Sequence, residues 1–353
     1  MSGVPDKISP KNVPANPSAL AQGERTEPSA AQGERTEPSA AETTEPSAAE
    51  TTEARPSKFL AFFFASRPKT LPAALAPVLL GTACAAAVGG AKPVPAVLAA
   101  LFALFAQIAC NLANDCSDFL RGADKSDRAG FARATASGWL TPREVAAGAL
   151  VAIVLAAACG SGLIFYGGAA MIAVGACSLL ACVAYTAGPF PLAYHGLGDI
   201  FVVFFFGIVA VSFTCFVQAG TFPPFVWLVA FACGLGADNI LLVNNIRDRV
   251  TDARAGKRTT VVRFGDAWAK RLFKINFAII FLSPLVLRFG FGFDALTVLL
   301  PMILLPFPMN EIFKKLREIS DPRDYNPLLA RVAATLLLYA VAQSVGLFLS
   351  VAA

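Results

Sequence analysis

Two polar stretches of this 353-residue chain carry the side chains that could do chemistry: Asn111 to Arg128, NLANDCSDFLRGADKSDR, and Asn244 to Arg263, NNIRDRVTDARAGKRTTVVR. Each opens at the end of a long apolar run and crowds acids, amides and bases together. In the first, Asn111 and Asp115 stand four residues apart, as do Asn114 and Asp118; in the second, Asn244, Asp248 and Asp252 follow at steps of four. On a helix such steps share one face, with Cβ atoms about 5–6 Å apart. Carboxylates that close repel unless a cation lies between them. An all-oxygen ligand set suits Mg2+, which takes one or two carboxylates and leaves positions for water and substrate phosphates. Arg247, Arg254, Lys257 and Arg258 lie beside the acids with the charge to neutralise a diphosphate. A salt-bridged loop would account for one such cluster; two at matching helix ends point to a site.

The elements that must position these groups are membrane helices. The chain is 56% apolar and 15% charged, the composition of a multi-span membrane protein. Apolar stretches at 71–89, 94–113, 144–165, 168–186, 198–219, 224–244, 272–289, 293–310 and 330–351 predict an all-α fold of nine transmembrane helices, with Lys58 to Thr70 as an interfacial amphipathic lead-in. Basic residues gather in the loops after the second, fourth, sixth and eighth spans, and only Lys92 and Arg288 fall opposite. The positive-inside rule then puts the N-terminus and both acidic stretches on the cytoplasmic face. Their recurrence four helices apart implies two parallel-related halves facing each other across a central cavity. Residues 1–57 repeat AQGERTEPSA at 21–30 and 31–40 and hold almost nothing to bury, so they read as a disordered cytoplasmic tail ahead of a membrane domain at 58–353. The eight cysteines form no CxxC or zinc spacing and read as small apolar residues. Spacing alone thus reaches a Mg2+-dependent membrane enzyme acting on a lipid diphosphate, in which metal and bases stabilise charge on the departing pyrophosphate.

The two stretches closely resemble the paired signatures of the UbiA superfamily of intramembrane prenyltransferases, and within it the 1,4-dihydroxy-2-naphthoate polyprenyltransferases of menaquinone synthesis. RPKTLPAALAPVLLGT at 67–82, YTAGPFPLAYHGLGDI at 185–200 and RATASG at 133–138 agree with that branch. The resemblance implies that Asn111, Asn114, Asp115 and Asp118, with Asp124 in a GxD extension, form the first motif. Asp248 and Asp252, supported by Asn244 and Asn245, form the second. It makes Asp115, Asp118, Asp248 and Asp252 the catalytic acids, which hold Mg2+ with Asn114 and Asp124. Arg247, Lys257 and Arg258 grip the diphosphate of a polyprenyl donor. An allylic cation is attacked by the naphthoate ring, with loss of CO2 and pyrophosphate, to give demethylmenaquinone. Expected partners are the polyprenyl diphosphate, dihydroxynaphthoate and membrane lipid, with no nucleic acid, in a bacterial inner membrane. In one respect the chain departs from the wider superfamily: the acid common four residues after Asp118 is replaced by Gly122.

Other residues have two readings. Arg67 and Lys69 either anchor the first helix at the interface or contact the naphthoate carboxylate or the diphosphate. His195 in a loop is more often a hydrogen-bonded residue than a catalyst, but with Tyr185 and Asp199 it stands where an aromatic substrate or a proton could be handled. The phenylalanines at 201–206 and 213–216 read as packing, or as one wall of a prenyl groove. The rival functions are prenylation of another aromatic acceptor such as 4-hydroxybenzoate, a cation-binding transporter and a non-catalytic lipid-binding relative. A transporter would carry charge at the bilayer midplane, whereas here the charge sits at the cytoplasmic helix ends.

Overall fold

Apolar segments in hydrocarbon must satisfy their backbone groups internally, which favours helices throughout. The computed structural model describes residues 56–123 and 129–352, and among them it contains helices and no strand. The repeat-rich tail up to residue 55 and the expected metal ligand Asp124 lie outside the described residues.

Helix α1 (Lys58–Ala65) is capped by the Ser57 hydroxyl, and a short turn (Pro68–Thr70) leads into α2 (Pro72–Ala87) at a bend of 52°. Helix α3 (Pro93–Leu120) packs along α4 (Pro142–Gly167), which starts with a Thr141–Glu144 capping box. Lys58 bridges to Glu144 at 2.5 Å and ties the lead-in helix to α4. After α5 (Ala170–Ala184) comes a loop, then one continuous rod: α6 (Gly198–Val202), a π-helical segment (Val203–Val209) and α7 (Ala210–Ala219). Helix α8 (Val226–Arg254) is followed by the single turn α9 (Thr260–Phe264) and α10 (Asp266–Phe291). Helices α11 (Ala295–Leu304), α12 (Pro306–Glu318) and α13 (Tyr325–Ala352) complete the fold.

Helix α8 is the axis. In its apolar window 78% of the residues are buried, against 17% in α4, which faces lipid. Small residues let neighbours close on it: a Cβ on Gly234 would stand 2.6 Å from the Val203 carbonyl, and one on Gly236 2.5 Å from Leu336.

Nine full-length spans are not confirmed. Seven helices among the described residues are long and apolar enough to cross a membrane, and the bent pair α1–α2 makes up to eight. The expected fourth span is the 15-residue α5, about 22 Å at 1.5 Å per residue, which falls short of a hydrocarbon core of about 30 Å. Two further expectations change at the ends of helices. α3 and α8 run on to Leu120 and Arg254, past the expected span ends at 113 and 244, so the acids occupy final helical turns as their four-residue spacing implied.

Candidate active site

Both motif helices stop in the same way. Gly122 and Gly256 adopt left-handed φ values of 68° and 75°. The Ala123 N–H donates to the Asp118 carbonyl at 2.9 Å, and the Lys257 N–H to the Asp252 carbonyl at 2.9 Å. These are Schellman caps, in which a left-handed glycine lets the chain turn back and satisfy the last carbonyls. Each therefore reads Asp-x-x-x-Gly, a repeat across the two motifs that the spacing of acids alone does not reveal. The cap also accounts for Gly122 at the position where the wider superfamily has an acid, because a left-handed residue with a Cβ is strained.

The turn at Gly256 brings Lys257 back over the acids. Its ammonium lies 2.9 Å from both carboxylate oxygens of Asp118 and 3.9 Å from Asp252, so one cation joins the two motifs. Asp118 also accepts from Arg133 Nη2 at 3.2 Å and the Tyr194 hydroxyl at 3.1 Å. Tyr194 in turn lies beneath the Lys257 ammonium, 4.9 Å from ring centroid to nitrogen, and the Arg121 guanidinium, 5.3 Å away. Burial and the Asp118 charge push the Tyr194 phenol up, which keeps it a hydrogen-bond donor. Arg247 holds Asp248 through two bonds of 2.8 Å and reaches Asn326 on α13 at 2.8 Å.

The first motif divides between two faces of α3. Asn114 and Asp118 face the site, where the Thr186 hydroxyl donates to Asn114 Oδ1. Asn111 and Asp115 bond structural partners, although Asn111 also lines the cavity below. Asn111 donates to the Ser66 carbonyl at 2.9 Å and accepts from Gln107, which steadies the turn bearing Arg67. Asp115, expected among the catalytic and metal-binding acids, is 1% exposed and turns its carboxylate to the 133–135 loop, accepting from the Ala134 N–H at 2.9 Å, the Thr135 N–H at 3.2 Å and the Thr135 hydroxyl.

Beneath this polar layer is a cavity of about 290 Å³. Arg67, Asn111, Asn114, Tyr185 and Asn244 line its polar end, one or two turns from the acids along α3 and α8. Arg67 has a left-handed φ of 55°, and it is the only described non-glycine residue with a positive φ. One apolar wall comes from the rod, whose Phe201, Phe205, Val209, Phe213 and Val217 recur every four residues beside Val202, Phe206 and Ala210. In an α-helix each four-residue step turns the side chain by about 40°, so such a row would wind off the cavity. The wider π turn takes up the drift and keeps the row on one face.

The remaining expected residues are spread around this centre. Lys69 is exposed, over the Phe131 ring at 5.1 Å. Asn245 is half-buried and Arg258 exposed, the latter with its backbone N–H on the Tyr194 carbonyl. His195 stacks on Phe190 with centroids 3.7 Å apart and bonds the Pro191 carbonyl. Asp199 accepts from Thr260 at 2.8 Å. Among the described residues no group of three or more His, Cys, Asp or Glu side chains is gathered closely enough to hold a metal ion. Asp118, Asp248 and Asp252 are instead held around the Lys257, Arg133 and Arg247 cations. Arg133 and Tyr194 are the site residues that acid spacing missed. They sit in RATASG and YTAGPFPLAYHG, blocks in which neither of these two residues is singled out.

A cationic head over an apolar cavity, within a multi-pass helical membrane fold, defines a class of protein that handles amphiphiles with an anionic group. The comparisons with known proteins narrow this class. The UbiA prenyltransferase family profile matches residues 74–349, and the chain belongs to that family. It is 36% identical to the 1,4-dihydroxy-2-naphthoate octaprenyltransferase of Escherichia coli (strain K12) over 306 residues, 83% of this chain and 97% of that protein. It is 39% identical over 218 residues to the protein of the same name from Mycobacterium tuberculosis, covering 62% and 74% of the two chains. A UbiA homolog from Archaeoglobus fulgidus bound to GPP and Mg2+ has the same fold, with a TM-score of 0.58 at 17% identity over 83% of this chain and all of that one. The apo UbiA homolog from Aeropyrum pernix K1 superposes with a TM-score of 0.60 at 13% identity, over 76% and 96% of the two chains.

Proposed function

We propose that the chain transfers a polyprenyl group from its diphosphate to 1,4-dihydroxy-2-naphthoate, with release of CO2 and pyrophosphate, to make the quinol form of demethylmenaquinone for menaquinone synthesis in a bacterial inner membrane. The observation that carries this reading is Lys257 shared between Asp118 and Asp252, a cation where two oxygen-rich helix ends meet above an apolar cavity. That oxygen-only set suits Mg2+, and Asn114, Asp118, Asp248 and Asp252 are the residues that would hold it. Bound there, the metal would supply Lewis acidity to the diphosphate.

The chain's own residues supply the rest. Lys257 and Arg133, now paired with Asp118, are placed to grip diphosphate oxygens and stabilise the negative charge that grows as the allylic carbon–oxygen bond breaks. Tyr194 stays a neutral donor beside them. The aromatic row on the rod receives the prenyl chain and excludes water from the carbocation. Arg67, at the polar end of the same cavity, meets the naphthoate carboxylate, and Tyr185 faces the ring. The ring carbon bearing the carboxylate forms the new carbon–carbon bond; CO2 then departs and its bonding electrons restore the aromatic ring. The basic residues at the helix ends support a cytoplasmic site and N-terminus.

The test is prenyl transfer by the full chain in membranes, with a polyprenyl diphosphate and either dihydroxynaphthoate or 4-hydroxybenzoate, with and without Mg2+. Magnesium-dependent product and CO2 from the naphthoate alone is the expected result. Product from hydroxybenzoate alone overturns the acceptor, and absence of product from both overturns the function.

A further inference from the structure

The three donors on Asp115 leave its carboxylate serving the loop rather than the site. Two backbone N–H groups and the Thr135 hydroxyl take most of the roughly four lone-pair positions of a carboxylate. The Thr135 hydroxyl also lies 3.2 Å from the Asp115 carbonyl, so the loop is held at two points on one helical turn. The adjacent loop residue is Arg133, 7% exposed, with Nη2 on Asp118. Asp115 and Asp118 are three residues apart on α3, so one helical turn both fixes the loop backbone and receives the arginine.

We propose that Asp115 is a positioning residue: it fixes the backbone at Ala134 and Thr135 so that Arg133 stands beside Asp118 at the diphosphate end of the cavity. This rests on the reading of the site as a prenyl-diphosphate site. It separates the adjacent residues Asn114 and Asp115 by role, the first facing the cavity and the second acting through the loop. It also gives RATASG a function, with Arg133 as the group delivered and Thr135 as the hook.

The experiment uses the full chain in lipid nanodiscs, an unreactive prenyl thiodiphosphate as donor probe and Mn2+ as the spectroscopic metal. Asp115→Asn turns one acceptor into a donor that faces an N–H. Thr135→Val removes the hook from the opposite side without touching any acid. Both variants should weaken the probe at least tenfold, hold the Mn2+ half-saturation within twofold of wild type and speed tryptic cleavage after Arg133. On an Arg133→Gln background neither should weaken the probe further. A tenfold loss of Mn2+ affinity in Asp115→Asn with Thr135→Val silent would make Asp115 a metal ligand and overturn the proposal. Wild-type behaviour of both variants would overturn it too. If the wild-type chain binds no probe, the prenyl-diphosphate reading fails on its own account. Cleavage after Arg133 then decides the positioning, and unchanged rates in both variants refute it.

Discussion

Replacing Lys257 by methionine removes one charge and leaves a side chain of similar length. The side chain is 11% exposed, and its ammonium stands 2.9 Å from Asp118 and 3.9 Å from Asp252. At about 4 Å and an effective dielectric near 20, each such pair is worth about 4 kcal/mol before desolvation. Breaking a buried pair typically costs about 3–5 kcal/mol, because a charge is left without its partner. Here Arg133 and Tyr194 still hold Asp118, so the loss in folding stability should be nearer 2 kcal/mol than that range. Catalysis should suffer more: losing one electrostatic clamp on a leaving group costs about 100-fold or more in rate. Binding of the metal alone should move the other way. Lys257 competes with a divalent cation for Asp118 and Asp252, so Lys257→Met should bind Mn2+ about tenfold more tightly without donor, equivalent to about 1.4 kcal/mol. Paramagnetic resonance of Mn2+ in nanodiscs, thermal unfolding and initial transfer rates report the three quantities. Metal affinity that stays level or falls would refute the reasoning, because it would mean that the ammonium is not where the metal must go.

Asp118→Asn and Asp252→Asn should each lower transfer by at least 100-fold with the protein still inserted and folded, as read from membrane assays and circular dichroism; normal rates in both would remove the metal-site assignment. Gly256→Ala forces a Cβ into a left-handed backbone and should cost about 1–2 kcal/mol in thermal unfolding. Because that turn carries Lys257, its transfer rate should fall further than that of Gly122→Ala, and equal losses would separate the cap from the lysine. The raised Tyr194 phenol contributes stability that is present in full below the ordinary value of 10.0, where the unfolded phenol is still protonated, and that is lost as the pH climbs from there through the folded value. Wild type should therefore lose stability above pH 10 more steeply than Tyr194→Phe, and parallel alkaline melting curves would contradict this.

The four-residue spacing placed Asp118 and Asp252 on helix faces that converge on one lysine, because acid spacing along a helix is a local property of the chain. Local pattern also located the apolar segments, since their hydropathy does not depend on neighbours. It failed where tertiary contact decides. Asp115 and Asp118 look equivalent as letters, yet the 133–135 loop claims one and the site claims the other. The expected span at 168–186 shortens to α5 at Ala170–Ala184, and the bond from Thr186 just beyond it to Asn114 is a tertiary contact that local pattern does not state. Arg133 and Tyr194 come to Asp118 from loops whose path depends on packing across the fold. The asparagine Asn111 shows the same limit, as its partner is the Ser66 carbonyl forty-five positions away.

The π-helical segment of the rod has a bearing on how this protein can diverge. Winding Val203–Val209 as ordinary α-helix with every residue kept would rotate everything beyond it by about 100°. Phe213 and Val217 would leave the cavity together, while Phe201 stayed. Exchanging side chains along the row trims the space by a few methylenes at a time, whereas losing the wide turn alters it in a single jump unless one residue is lost with it, since eleven ordinary steps bring Phe213 to within about 20° of Phe201. A relative with a one-residue gap in this segment should therefore keep the same wall on an ordinary helix, whereas one of equal length without the wide turn should hold an isoprenoid along a different wall, even with every acidic residue of both motifs in place.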